Sequence, residues 1–145
     1  MKNILFLAAL ALPLCAQVTV KQQGNAKISV EINGKPFTEF WVGPETQKPY
    51  LHPLRTATGT ILTRTYPMAS DVPGEAHDHP HHRGLWFTHG DVNGYDFWGN
   101  EESQKGAGKG KGKVVLKKID KVTSGKNTGT IEATFDWKLD RKSVV

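Results

Sequence analysis

The chain has 145 residues, 37% of them hydrophobic, enough for one domain with a core of its own. Its net charge of +5 is uneven: residues 105–126 hold eight lysines against one acid, Asp120. A basic excess confined to one glycine-rich segment does not make a nucleic-acid-binding face, and no nucleic-acid partner is expected.

Residues 1–16 read as a secretory signal peptide. Lys2 supplies the positive start, residues 4–14 form an apolar run, and Ala16 ends a cleavage signal. A bilayer span needs roughly 20 apolar residues, so no stable membrane insertion is expected. A lipoprotein signal at Cys15 would need a small residue before it, and Leu14 is large. The expected location is the periplasm or the cell exterior. Cys15 is the one cysteine and leaves with the leader. The mature chain from Gln17 therefore has no disulfide, thiolate nucleophile or cysteine-bound metal.

Residues 17–145 are expected to form a single β-rich domain. Val18 and Val20, then Ile28, Val30 and Ile32, alternate with polar residues, which predicts two strands. Asn33-Gly34 predicts a hairpin turn into a third strand at 37–42. Residues 43–53 carry three prolines and predict a stiff loop presenting Tyr50, His52 and Arg55. Short strands are predicted at 61–66 and 85–89. The 103–113 segment of alternating glycine and lysine predicts a mobile solvated loop. Residues 114–123 predict a strand. At 128–139, Ile131, Ala133, Phe135, Trp137 and Leu139 would share one face. No helical periodicity follows the leader, so the predicted fold is an all-β antiparallel sandwich. The chain stops soon after its last strand and has few strands for two full sheets, so it reads as truncated at the C-terminus.

Chemistry concentrates between Glu75 and Trp98, which hold five of the six histidines. His79, His81 and His82 are candidate acid–base groups, because imidazole titrates near neutral pH and both donates and accepts protons. Arg83, with Arg55 and His52 from the earlier loop, would clamp ligand oxygens. Trp86, Tyr95 and Trp98 would stack on a flat ligand face such as a sugar ring. A metal-dependent oxygenase or hydrolase is the alternative, with His77, Asp78, His79 and His81 holding a divalent metal. Their spacing matches no closed tetrahedral motif. In an extended backbone adjacent histidines would diverge, leaving at most His77, His79 and His81 on one face. Several of these histidines would otherwise only satisfy loop amides. Nothing signals a nucleotide cofactor. A non-catalytic exported module is the third reading.

The run Lys48-Pro49-Tyr50-Leu51-His52-Pro53-Leu54, then Asp78-His79-Pro80-His81-His82-Arg83-Gly84-Leu85-Trp86-Phe87, then Asn93-Gly94 and Asp96-Phe97-Trp98 resembles the exported bacterial proteins called PmoA-like or methane oxygenase. The resemblance covers residues 37–98. It implies a longer parent, since such proteins run to about twice this length, and carries no established activity. A membrane-bound methane-oxidising subunit would need several spanning helices, which this sequence does not contain. The expected ligand is a carbohydrate or related polyhydroxylated molecule, bound in the manner of mutarotase-like supersandwiches, an analogy of fold class alone.

Overall fold

The computed structural model describes residues 16–139. All of the expected signal peptide but Ala16, and residues 140–145, lie outside them. Among the described residues there is no helix, and eight strands form two antiparallel sheets. The fold is all-β, as the alternation predicts.

The first sheet grows from a meander. Strands β1 (Gln17–Gln23), β2 (Lys27–Ile32) and β3 (Lys35–Trp41) pair antiparallel in sequence order. Asn33 and Gly34 have φ of 52° and 74°, the double left-handed turn that matches strand twist and favours this pair. Val20 and Ile28 are buried on the inner face. Two short strands, β4 (Tyr50–Leu51) and β5 (Leu85–Trp86), extend the sheet past β3. β7 (Gly125–Lys126) closes the other edge against β1. The second sheet is the long pair β6 (Gly112–Thr123) and β8 (Thr130–Leu139). The sheets meet where the ring of Phe40 lies edge-on to Phe135, 6.2 Å away.

Three elements differ from the sequence expectation. Residues 61–66 are not a strand; only Ile61 bridges, to Arg55. Their backbone is held instead by side chains: Glu75 accepts from the amides of Thr65 (2.7 Å) and Tyr66 (2.6 Å). The 85–89 strand shortens to two residues, and beyond it the Thr88 hydroxyl donates to the Phe97 carbonyl, 2.6 Å away.

The glycine–lysine segment is the third. It is not a free loop but is bonded along its length. Asp96 Oδ2 accepts from Ala107 N (3.0 Å), and Lys109 N donates to Gly94 O (2.8 Å). Lys111 Nζ donates to the carbonyls of Glu101 (2.7 Å) and Gln104 (2.8 Å). Gly112 has a packing reason: a Cβ there would strike the ring of Phe97, which is 1% exposed and anchors the core beneath the loops.

Candidate functional site

Residues 75–83 run across the end of the first sheet, bracketed by residues 64–66. Arg64 donates to the carbonyls of Ala76 and Asp78 and to Asp78 Oδ1 (3.2 Å). The Tyr66 ring stacks on His77, centroids 4.7 Å apart. Glu75 is held below the usual carboxylate range by the Thr65 and Tyr66 amides. Beyond this bracket the chain turns. His82 N donates to His79 O at 2.9 Å, with Pro80 at the position its fixed φ suits. His79 itself takes a φ of 46°. Gly84, φ 68°, then lets β5 reach β4, since any Cβ there would strike the Leu51 carbonyl.

The turn overrides the divergence expected of an extended backbone. It folds His79 and His82 into a parallel stack, centroids 4.9 Å apart, with His81 edge-on to His82 at 4.4 Å. Trp86 stacks on the other side of His82 at 4.9 Å. Trp98 closes the group, 5.8 Å from His81 and 5.7 Å from Trp86. Five rings from residues 79–98 therefore form one cluster. Trp98 is 42% exposed, so the cluster reaches solvent.

Side-chain partners hold two of these histidines in opposite tautomers. Asp78 Oδ2 lies 2.7 Å from His79 Nδ1 and can only accept, so His79 donates from Nδ1, and in its neutral form the lone pair is on Nε2. This hydrogen bond, with Arg64, keeps the Asp78 carboxyl below its ordinary value. Gln104 works the other way. Its Oε1 accepts from Glu101 N, which orients the amide so that Nε2 donates to His81 Nδ1 at 2.8 Å. His81 then carries its proton on Nε2. Burial, reinforced by neighbouring cations, pushes His81 and His82 down from the ordinary histidine value.

Beneath the rings lies a buried charge network that sequence reasoning missed. Lys48 is fully buried; its Nζ donates to Trp98 O (3.0 Å) and Asn100 Oδ1 (2.6 Å) and sits 3.7 Å from Glu101. Burial outweighs the attraction of Glu101 and pushes Lys48 down to about 8. Arg83 makes a two-point pair with Glu101, both contacts 2.9 Å. Asn100 donates on to Gly112 O at 2.8 Å. Asp96 Oδ1 accepts from the Trp98 and Gly99 amides, at 2.7 and 2.9 Å, and fixes the turn that presents Trp98. The signal was in the sequence, since Lys48 and Asp96 stand inside the motif-bearing runs. Nothing there said that the two runs meet.

The other expected site residues are placed elsewhere. Arg83 gives its Nε–Nη2 edge to Glu101. Arg55 lies at the β2–β3 side, in a groove with Glu31, Pro36 and Glu39. His52 is turned to Thr63 Oγ1 at 3.3 Å, and its ring is pushed down by burial. Tyr95 sits in the 92–95 turn under Lys109, 5.9 Å from its ring. His77, Asp78, His79 and His81 do not converge as a metal-ligand set: Tyr66 holds His77, and Arg64 with His79 holds Asp78. Among the described residues no group of three or more His, Cys, Asp or Glu has metal-holding geometry. No helix among them is long and apolar enough to cross a membrane.

A family model described as a family of unknown function, DUF6807, matches residues 27–145. No curated protein matches the chain, and no solved structure does.

Proposed function

The chain belongs to the DUF6807 family, whose function is unknown, and from residues 1–16 and the site we propose that it is an exported protein that binds a sugar-like polyhydroxylated ligand at the His79–His81–His82–Trp86–Trp98 cluster and moves a proton on it. His79 takes a proton from a ligand hydroxyl and returns it to another ligand oxygen, while His81 holds a ligand oxygen through its Nε2–H as a hydrogen-bond donor and keeps that proton. The observation that carries this reading is the pair of contacts that assigns opposite tautomers to the neutral rings, Asp78 Oδ2 on His79 Nδ1 and Gln104 Nε2 on His81 Nδ1, in rings 5.7 Å apart. A hydroxylated ring supplies the matching donor and acceptor on neighbouring oxygens, and a C–H face for Trp98. Asp78, itself held by Arg64, would stabilise the imidazolium that forms when His79 takes the proton. The sandwich reading, and the likeness to mutarotase-like supersandwiches, belong to the same proposal; the meeting of the sheets at Phe40 and Phe135 supports them. The PmoA-like resemblance stands beside it and supplies no reaction.

Titration calorimetry of the purified chain against a panel of mono- and oligosaccharides tests this. Binding by at least one sugar is expected, weakened about tenfold by Trp98→Ala through loss of the stacking face. Proton transfer from the anomeric hydroxyl to the ring oxygen of the bound sugar, read as faster anomer interconversion, is expected to fall in His79→Gln while binding persists. A panel without a single binder, or binding indifferent to both changes, contradicts the proposal.

A further inference from the structure

Arg55 stands outside the ring cluster, and a register slip in the first sheet fixes its place. Val30 of β2 pairs with Thr38 of β3, but Glu31 pairs with Pro36, which leaves Phe37 over as a bulge. The Phe37 carbonyl accepts from Arg55 N at 3.1 Å. Leu62 N donates to Leu54 O and Thr56 N to Thr60 O, both at 2.9 Å, and Arg55 bridges to Ile61. Residues 54–62 thus fold back on themselves and hold Arg55 beside the bulge.

Two grooves adjoin there. One, of about 290 Å³, is polar and lined by Glu31, Thr38, Glu39 and Arg55. The other, of about 250 Å³, is mostly apolar and lined by Ile32, Phe37 and Ala57. Pro36 and Arg55 belong to both.

Two groups in the polar groove have no partner. Thr38 is 4% exposed, and among the described residues its buried Oγ1 makes no hydrogen bond. A buried hydroxyl left unmatched is costly. A bound water would satisfy it but leave the charge beside it unmatched. Among the described residues no hydrogen bond or ion pair reaches the half-buried Arg55 guanidinium. The two acids of the groove are not its counter-ions: Lys27 takes Glu39 at 2.7 Å and Lys21 takes Glu31 at 3.7 Å. One uncompensated positive charge therefore remains, on a planar fork beside a free hydroxyl.

We propose that Arg55 and Thr38 form a second binding site, for a small organic monocarboxylate with an apolar body. The guanidinium takes both carboxylate oxygens, and the Thr38 hydroxyl donates a third bond. Lys21 and Lys27 offset the charges of Glu31 and Glu39. The apolar body lies against Ile32, Pro36 and Phe37 in the adjoining groove. None of these residues belongs to the ring cluster, so the inference stands apart from the sugar reading.

Amide spectra of the ¹⁵N-labelled full chain, titrated with benzoate, benzyl alcohol and inorganic phosphate, test it. Benzoate is expected to shift the Thr38 and Arg55 amides saturably, with a dissociation constant of about a millimolar. Benzyl alcohol has the ring without the charge, and phosphate the charge without the ring. Each is expected to bind at least about tenfold more weakly than benzoate. Arg55→Gln removes charge and fork together and should weaken benzoate about tenfold or more. Thr38→Val keeps the shape without the hydroxyl. It should weaken benzoate about fivefold yet melt no lower than the parent, since no bond within the chain is lost. Benzoate that shifts neither amide, binds no better than either control, or is indifferent to Arg55→Gln overturns the inference. So does a Thr38→Val chain that melts well below the parent, which would mean that the hydroxyl is bonded within the chain.

Discussion

Ile28 and Lys48 are both fully buried, yet they hold two regions of the molecule by opposite means. Ile28 sits in the β1–β3 meander, where strands follow one another and the core is apolar. Its burial is favourable whatever its exact neighbours, at about 25 cal/mol per Å². Lys48 sits under the ring cluster, where its charge is costly to bury and is tolerated only through Trp98 O, Asn100 and Glu101. The sheet is stable because it is generic. The site is stable only while every polar partner is present. Polar pre-organisation of this kind fixes the direction of side chains, which an apolar core does not.

The sharpest way to break this comparison is Lys48→Met. It removes the donor to two acceptors and the buried cation beside Glu101, and should cost about 3–5 kcal/mol in urea unfolding. Ile28→Ala should cost about 2–4 kcal/mol by cavity formation alone. The two differ in kind: Lys48→Met should also displace Trp98 and alter its fluorescence, whereas Ile28→Ala should leave that signal unchanged.

Arg64→Ala is expected to act more locally. It frees Asp78 and the Ala76 carbonyl on a surface-reaching loop, at about 1–2 kcal/mol. Faster amide exchange across residues 75–83, with β1–β3 unaffected, would be the signature. Uniform loosening of both regions would contradict the division drawn here.

The pH dependence separates the regions by titration. His81 and His82 are depressed by burial first and second by groups that carry positive charge when protonated: His82, Lys48 and His79 around His81, with the Gln104 bond opposing, and His79, Arg64 and Lys48 around His82, with Asp78 opposing. A depressed histidine binds fewer protons folded than unfolded. Its contribution is therefore complete above the unfolded value of about 6.5 and is lost as pH falls below it. Melting temperature should drop by a few degrees on acidification from about 6.5, less so in His82→Gln. Lys48 has the same sign in another window. Between about 8 and its ordinary 10.5 the unfolded chain holds a proton that the folded chain has released, so stability should rise with pH there. Lys48→Met should abolish that rise.

The same contrast decides what could be read from the sequence. The meander was legible because period-two alternation and the Asn33-Gly34 turn are local signals, and β8 was legible for the same reason. The His-rich run was legible as a place but not as a geometry. The turn through Pro80 brings His79, His81 and His82 together and leaves His77 on Tyr66, where alternation predicted otherwise. Lys48 and Asn100 are 52 residues apart, so no local pattern joins them. The glycine–lysine segment looked empty because its partners, Asp96 and Phe97, are supplied from elsewhere.

The central claim is that His79 and His81 are held in opposite tautomers, and long-range proton–nitrogen correlation spectra of the ¹⁵N-labelled chain test it most directly. At a pH of about 8, well above the ordinary histidine range, His79 should be protonated on Nδ1 and His81 on Nε2. Asp78→Asn should release the first assignment and leave the second. Finding both rings protonated on the same nitrogen, or both averaging freely, would contradict the account.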